Sequence, residues 1–186
     1  MRFVVWWSLF AACSGGAASM DAKNCTVGDL TLAPEIELYY LGVDGTSKVM
    51  QPMDSVPLEQ PIQGGYVFYV EPHLRNMDAC HVQLTTSLTD VVSNAIVVFE
   101  ARTSTLTVDA TGFAVPVNAE NDGLVAACPQ SQLSRNINDN AYLLQVVALD
   151  PNGRQAQASI QVVPTCSEAF CTCQCNSGYK LGDSCP

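Results

Sequence analysis

The residues best equipped for chemistry in this chain are nine cysteines, two histidines and two runs rich in amides and carboxylates. Five of the cysteines, Cys166, Cys171, Cys173, Cys175 and Cys185, crowd the C-terminal end. Thiolates at that density suit zinc and other soft metals. Zinc motifs, however, space their cysteines more widely than Cys171-x-Cys173-x-Cys175, and in an oxidising compartment the same residues pair as disulfides. With Cys13 set aside, Cys25, Cys80, Cys128 and the five C-terminal cysteines form an even set. Residues two apart on an extended segment point the same way, so Cys171, Cys173 and Cys175 are expected to bond outward rather than to one another. One of those bridges is expected to reach the body of the protein.

His73 and His81 are the candidates for a metal ligand or a general base. No Gly-x-Ser-x-Gly elbow, His-Glu-x-x-His run or phosphate loop accompanies them. Solvated surface histidines are the simpler reading, and no catalytic residue is assigned. A hydrolase site assembled in space around either histidine is the alternative. For calcium, Asn118, Glu120 and Asp122 before Gly123 begin like an EF-hand loop, but Pro129 stands where the bidentate acid belongs. Asn136, Asn138, Asp139 and Asn140 form a second cluster. It is similar to the calcium linker of cadherins, as Val146-x-Ala148-x-Asp150 is to one of their strands. The order along the chain is wrong for a single repeat, and Asn-rich loops ordinarily make turns. No metal and no cofactor is therefore expected, with a calcium-dependent adhesion module as a further alternative.

The framework that must position these residues follows from composition and pattern. The chain has 186 residues, 48% hydrophobic and 14% charged, which suits one globular domain. The net charge of −10 and the scattered basic residues disfavour nucleic acid and anionic membrane surfaces. At the N-terminus, Arg2 precedes the apolar run Phe3 to Ala12, then Cys13 and small residues to Ser19, the pattern of an export signal. The run is too short to span a bilayer as a helix. Cleavage near Ala18 or Ser19 would give a secreted protein. Phe10-Ala11-Ala12-Cys13 instead resembles a bacterial lipobox, which implies lipidation of Cys13 and a cell-envelope or outer-membrane location.

Beyond a tether spanning 20–34, the chain reads as strands. Ile36 to Leu41, Tyr66 to Val70, Val82 to Leu88 and Ala95 to Phe99 are β-branched or aromatic runs. Tyr66 to Val70 is apolar on both faces and is expected to be central. From Tyr142 to Val163 the pattern predicts an antiparallel hairpin around Asp150-Pro151-Asn152-Gly153. Ala156, Ala158, Ile160 and Val162 should face inward, and Gln155, Gln157, Ser159 and Gln161 outward. No window has a convincing helical period, although Leu124 to Ala127 allows one turn. The expected fold is all-β: an immunoglobulin-like antiparallel β-sandwich over 35–164, after an export signal over 1–19, closed by a disulfide-rich C-terminal tail over 165–186.

One resemblance rests on short motifs between residues 56 and 185. These are Val56-Pro57-Leu58 followed by Pro61-Ile62-Gln63-Gly64-Gly65, then Arg75-Asn76, and the ending Cys-x-Cys-x-Cys-x-x-Gly-Tyr-x-Leu-Gly-x-x-Cys from Cys171 to Cys185. In these the chain resembles uncharacterised bacterial cell-envelope lipoproteins with a Cys-rich C-terminal tail. The resemblance implies an anchor and carries no activity. The sequence as a whole points to an extracytoplasmic, non-catalytic binding or structural protein. Its expected partner is a protein or glycan met through loops such as 118–140, and its only membrane contact a lipid anchor. If Cys13 is lipidated, the native-host protein should begin at that residue and fractionate with membranes, and Cys13→Ser should abolish the lipid. Intact-mass analysis checks this; a soluble product starting near Ser19 would show ordinary secretion.

Overall fold

A computed structural model describes residues 26–117, 123–131 and 133–186. The export signal, Cys13, Cys25 and the EF-hand-like run over 118–122 lie outside these residues. The N-terminal strands are β1 (Thr26–Val27), β2 (Glu35–Leu41), β3 (Ser47–Val49), β4 (Asp54–Pro57) and β5 (Tyr66–Arg75). There follow β6 (Met77–Asp78), β7 (Val82–Asp90), β8 (Ile96–Ser104), β9 (Leu106–Val108) and β10 (Ala114–Pro116). Then come β11 (Leu124–Cys128), β12 (Tyr142–Leu149), β13 (Gln155–Thr165) and a short helix, α1 (Ala169–Gln174). The protein is mostly β.

Two sheets dominate. One runs β3-β2-β5-β10-β9, with β11 also paired to β5; the other runs β4-β13-β12-β7-β8. β1 and β6 form a separate antiparallel pair. Pairing is antiparallel except between β13 and β4. β5 is central, as its two apolar faces predict. It pairs with β2 along one edge and with β10 and β11 along the other. Phe68 and Val70 on β5 and Val125 on β11 share a buried cluster with Leu88, Tyr142 and Leu144 of the second sheet. A second buried cluster joins Leu74 and Ala114 to Leu84, Ala148 and Ala156, and such apolar burial between the sheets is the main stabilising term for a fold of this size.

The late hairpin has the expected register, Tyr142 opposite Val162 through Leu149 opposite Gln155. Ala156 and Val162 are buried, Ala158 and Ile160 are partly buried against the core, and the intervening Gln and Ser side chains are exposed. The turn is tied by Gly153, at φ 80°, donating its N–H to the Asp150 carbonyl at 3.0 Å.

Three expectations need correction. Leu124 to Ala127 is not a helical turn but the start of β11, because pairing with β5 satisfies its backbone and buries Val125 and Ala127. The tether ends earlier than residue 34. Val27 is buried in β1, and Asn76 accepts the Asp29 N–H and donates to the Ala33 carbonyl. Finally, Cys171-x-Cys173-x-Cys175 is not extended; it falls in α1 and its C-cap. Replacing Leu144, fully buried between the sheets, should show how much the core contributes. In urea unfolding, Leu144→Ala is expected to cost about 2–5 kcal/mol, while Gln157→Ala on the same hairpin should stay within about 0.5 kcal/mol of wild type.

Candidate functional site

The C-terminal tail has few apolar side chains, so its position must come from covalent and polar links. Cys128 at the end of β11 is bridged to Cys175, with Cα atoms 5.0 Å apart. Cys166 is bridged to Cys171, and Cys173 to Cys185. Cys80 is also disulfide-bonded. Helical spacing explains the pattern: Cys171 and Cys175 lie on one face of α1 and are fully buried, while Cys173 points elsewhere and meets Cys185. The sulfurs of Cys166, Cys171 and Cys175 lie within 4.8 Å of one another. All three are committed to disulfides, so this cluster offers no thiolate.

The Asn-rich loop turns out to be the seat of this tail. The Asn138 side-chain oxygen accepts the Cys166 N–H at 2.7 Å, and the Asn136 oxygen accepts the Ser177 N–H at 3.0 Å. Asn140 donates to the Asn136 and Asn138 carbonyls and accepts from Arg135. Asp139 sits at φ 60° and gives its N–H to the Pro164 carbonyl. The amide oxygens that suggested calcium are thus directed at donors from the protein. Tyr66 completes the seat. Its hydroxyl donates to Glu168 at 2.7 Å, and burial, followed by that carboxylate, pushes the hydroxyl up to about 12.

The loop is itself held by Asp90 at the end of β7. This carboxylate is 1% exposed. It accepts from Arg135 Nε at 2.8 Å, from the hydroxyls of Ser93 and Ser134, and from the Val92 N–H. Burial by itself would raise its pKa; the hydrogen bonds and the Arg135 charge outweigh burial and bring it to about 2. The Arg135 guanidinium also lies 4.9 Å from the centre of the Tyr142 ring.

Where tail meets loop, a cleft of about 540 Å³ opens between Pro129, Gln130 and Ser131 on one side and residues 177–181 on the other. Neither histidine lines it. His73 lies on β5, stacked on Tyr39 with ring centres 3.8 Å apart and near Phe113. Burial lowers its pKa against the pull of Glu71, Asp109 and Glu37. His81 is exposed at φ 60°, next to the bridged Cys80. The structure does not bring the two histidines into one site. No family model matches the chain, and neither a curated protein nor a solved structure does. The motif residues Gly65, Arg75 and Asn76 have structural work instead. A Cβ on Gly65, at φ +75°, would lie 2.7 Å from the Cys128 carbonyl oxygen, and Arg75 stacks on Phe113 at 4.0 Å.

A second surface was missed in the sequence because it exists only through strand register. The outward positions of the β4-β13-β12-β7-β8 sheet are Ser55 and Pro57, the odd residues 155–165, 143–149 and 83–89, and Phe99, Ala101 and Thr103. None is charged, in a chain with 26 charged residues. The opposite sheet shows the contrast: its outward side chains include Glu35, Glu37, Glu71, His73 and Arg75.

Acid titration should report on the Asp90 seat. Its folded pKa, about 2, lies below the usual unfolded value near 3.9, so its contribution is present above about pH 4 and fades as pH falls toward 2. The stability gap between wild type and Asp90→Asn, followed by urea unfolding, is expected to narrow over that window. A gap that stays constant down to pH 2 would show that the carboxylate is not held in this way.

Proposed function

We propose that this is an extracytoplasmic, non-catalytic binding protein of the cell envelope. In this reading an immunoglobulin-like sandwich, tethered through lipidated Cys13, presents its uncharged outer sheet to a neutral, hydroxyl-rich glycan. The charge-free face carries the proposal. Gln83, Gln145, Gln157, Ser159 and Thr85 offer amide and hydroxyl groups, with Leu143, Val147 and Phe99 among them. Such a surface hydrogen-bonds sugar hydroxyls and covers their C–H faces without desolvating a charge. Polyanions are disfavoured by the net charge of −10. The disulfides around the tail suit an oxidising, extracytoplasmic compartment.

Affinity electrophoresis tests this directly. Wild-type protein should be retarded in gels containing laminarin or dextran, relative to plain gels, and not by alginate. Gln145→Glu/Gln157→Glu, which alters only outward positions, should lose at least tenfold in retardation while keeping its unfolding midpoint. Absence of retardation in every neutral polysaccharide, or equal retardation of the variant, would overturn the proposal. So would a concentration-dependent dimer, seen by sedimentation, that the variant abolishes.

A further inference from the structure

Two disulfides of the tail abut one another. Cys171 Sγ of one lies 3.9 Å from Cys175 Sγ of the other. Their accessibility is unequal. Cys166 is half-buried at the surface, whereas Cys171 and Cys175 have no exposure and Cys128 is 4% exposed. The buried bond, Cys128–Cys175, is the one described disulfide that ties the tail to the sheets. Thiol–disulfide exchange requires a thiolate next to a disulfide sulfur, and opening the outer bond creates that arrangement.

We propose that Cys166–Cys171 is a thiol–disulfide exchange site for a dithiol reductant, and that it relays reduction inward to free the tail from the sheet domain. One thiolate of the reductant attacks Cys166 Sγ, which belongs to the less buried residue of the bond. The Cys166–Cys171 bond breaks and its electron pair leaves on Cys171. The Cys171 thiolate then attacks Cys175 Sγ, forming a Cys171–Cys175 bond and expelling Cys128 as a thiolate. The reductant's second thiol resolves the mixed disulfide on Cys166 and departs as a cyclic disulfide. Its two protons end on Cys166 and Cys128. One dithiol is oxidised, one protein disulfide is reduced, and the survivor joins residues four apart along α1. Helical geometry sets their Cα atoms about 6 Å apart, inside the range that a disulfide spans. The buried bond is thereby opened without the reductant reaching it. The released tail keeps non-covalent contacts to Asn136, Ile137, Asn138 and Tyr66, which hold it near its partner for reoxidation.

Limited reduction with sub-stoichiometric dithiothreitol, an acid quench, alkylation and peptide mapping test the relay on the full chain. The expected early species carries label on Cys166 and Cys128, with Cys171 and Cys175 joined. Label on Cys173 and Cys185 reports their separate, accessible bond and is scored apart. In Cys166→Ala/Cys171→Ala, label on Cys128 should be lost under the same conditions, with near-ultraviolet circular dichroism showing that the fold is kept. Early label on Cys166 and Cys171, with Cys128–Cys175 intact, would overturn the relay on wild-type protein alone. So would label on Cys128 in a folded double variant.

Discussion

A carboxylate buried at the end of a strand cannot stay charged without compensation, because its lost hydration costs several kcal/mol. Asp90 is compensated by Arg135, two serine hydroxyls and a backbone N–H. That constraint positions much else. Arg135 reaches on to Asn140 and to the Ala141 carbonyl, which shapes the loop ahead of β12. The shaped loop aims Asn136 and Asn138 at the tail, and the Cys128–Cys175 bridge closes the arrangement from the other side. The tail needs no core of its own because one buried ion pair, two amides and a disulfide place it.

The parts of this fold legible in sequence were those governed by local periodicity. Alternation over Ala156 to Val162 gave the face of β13, and the doubly apolar run of Tyr66 to Val70 gave the centre of its sheet. Leu124 to Cys128 was ambiguous because Leu-Val-Ala-Ala suits a helix as well as a buried strand. Only the tertiary pairing with β5 decides it. The cysteine tail misled for a related reason: with so few apolar residues it has no period, and α1 is set by which sulfurs can meet. Asn136 to Asn140 left a turn and a calcium reading side by side. The oxygens that would ligate calcium are the same oxygens that accept backbone N–H groups, and sequence does not show which donor is near.

The two outward sheet faces also bear on what such a protein can contact. On the first sheet, Glu35 lies opposite Arg75 across β2 and β5. Cross-strand charge pairs of this kind keep a face solvated and discourage stacking. The second sheet lacks them from β4 to β8, although solvent-facing strands commonly use charge to block association. Its neutrality is not a consequence of burial, since Gln83, Phe99, Ala101, Gln155 and Gln157 are exposed. Nor does it reflect a shortage of charge in the neighbourhood. Glu100 and Arg102 sit between those outward residues of β8 but lie on its other side, where Glu100 accepts the Ala126 N–H at 2.8 Å. Turning β8 by a single residue would put both charges on the outer face and Phe99 inside. Register therefore keeps charge off this surface strand by strand. The proposed glycan reading rests on that exposed, uncharged face, which would meet sugar hydroxyls without desolvating a charge.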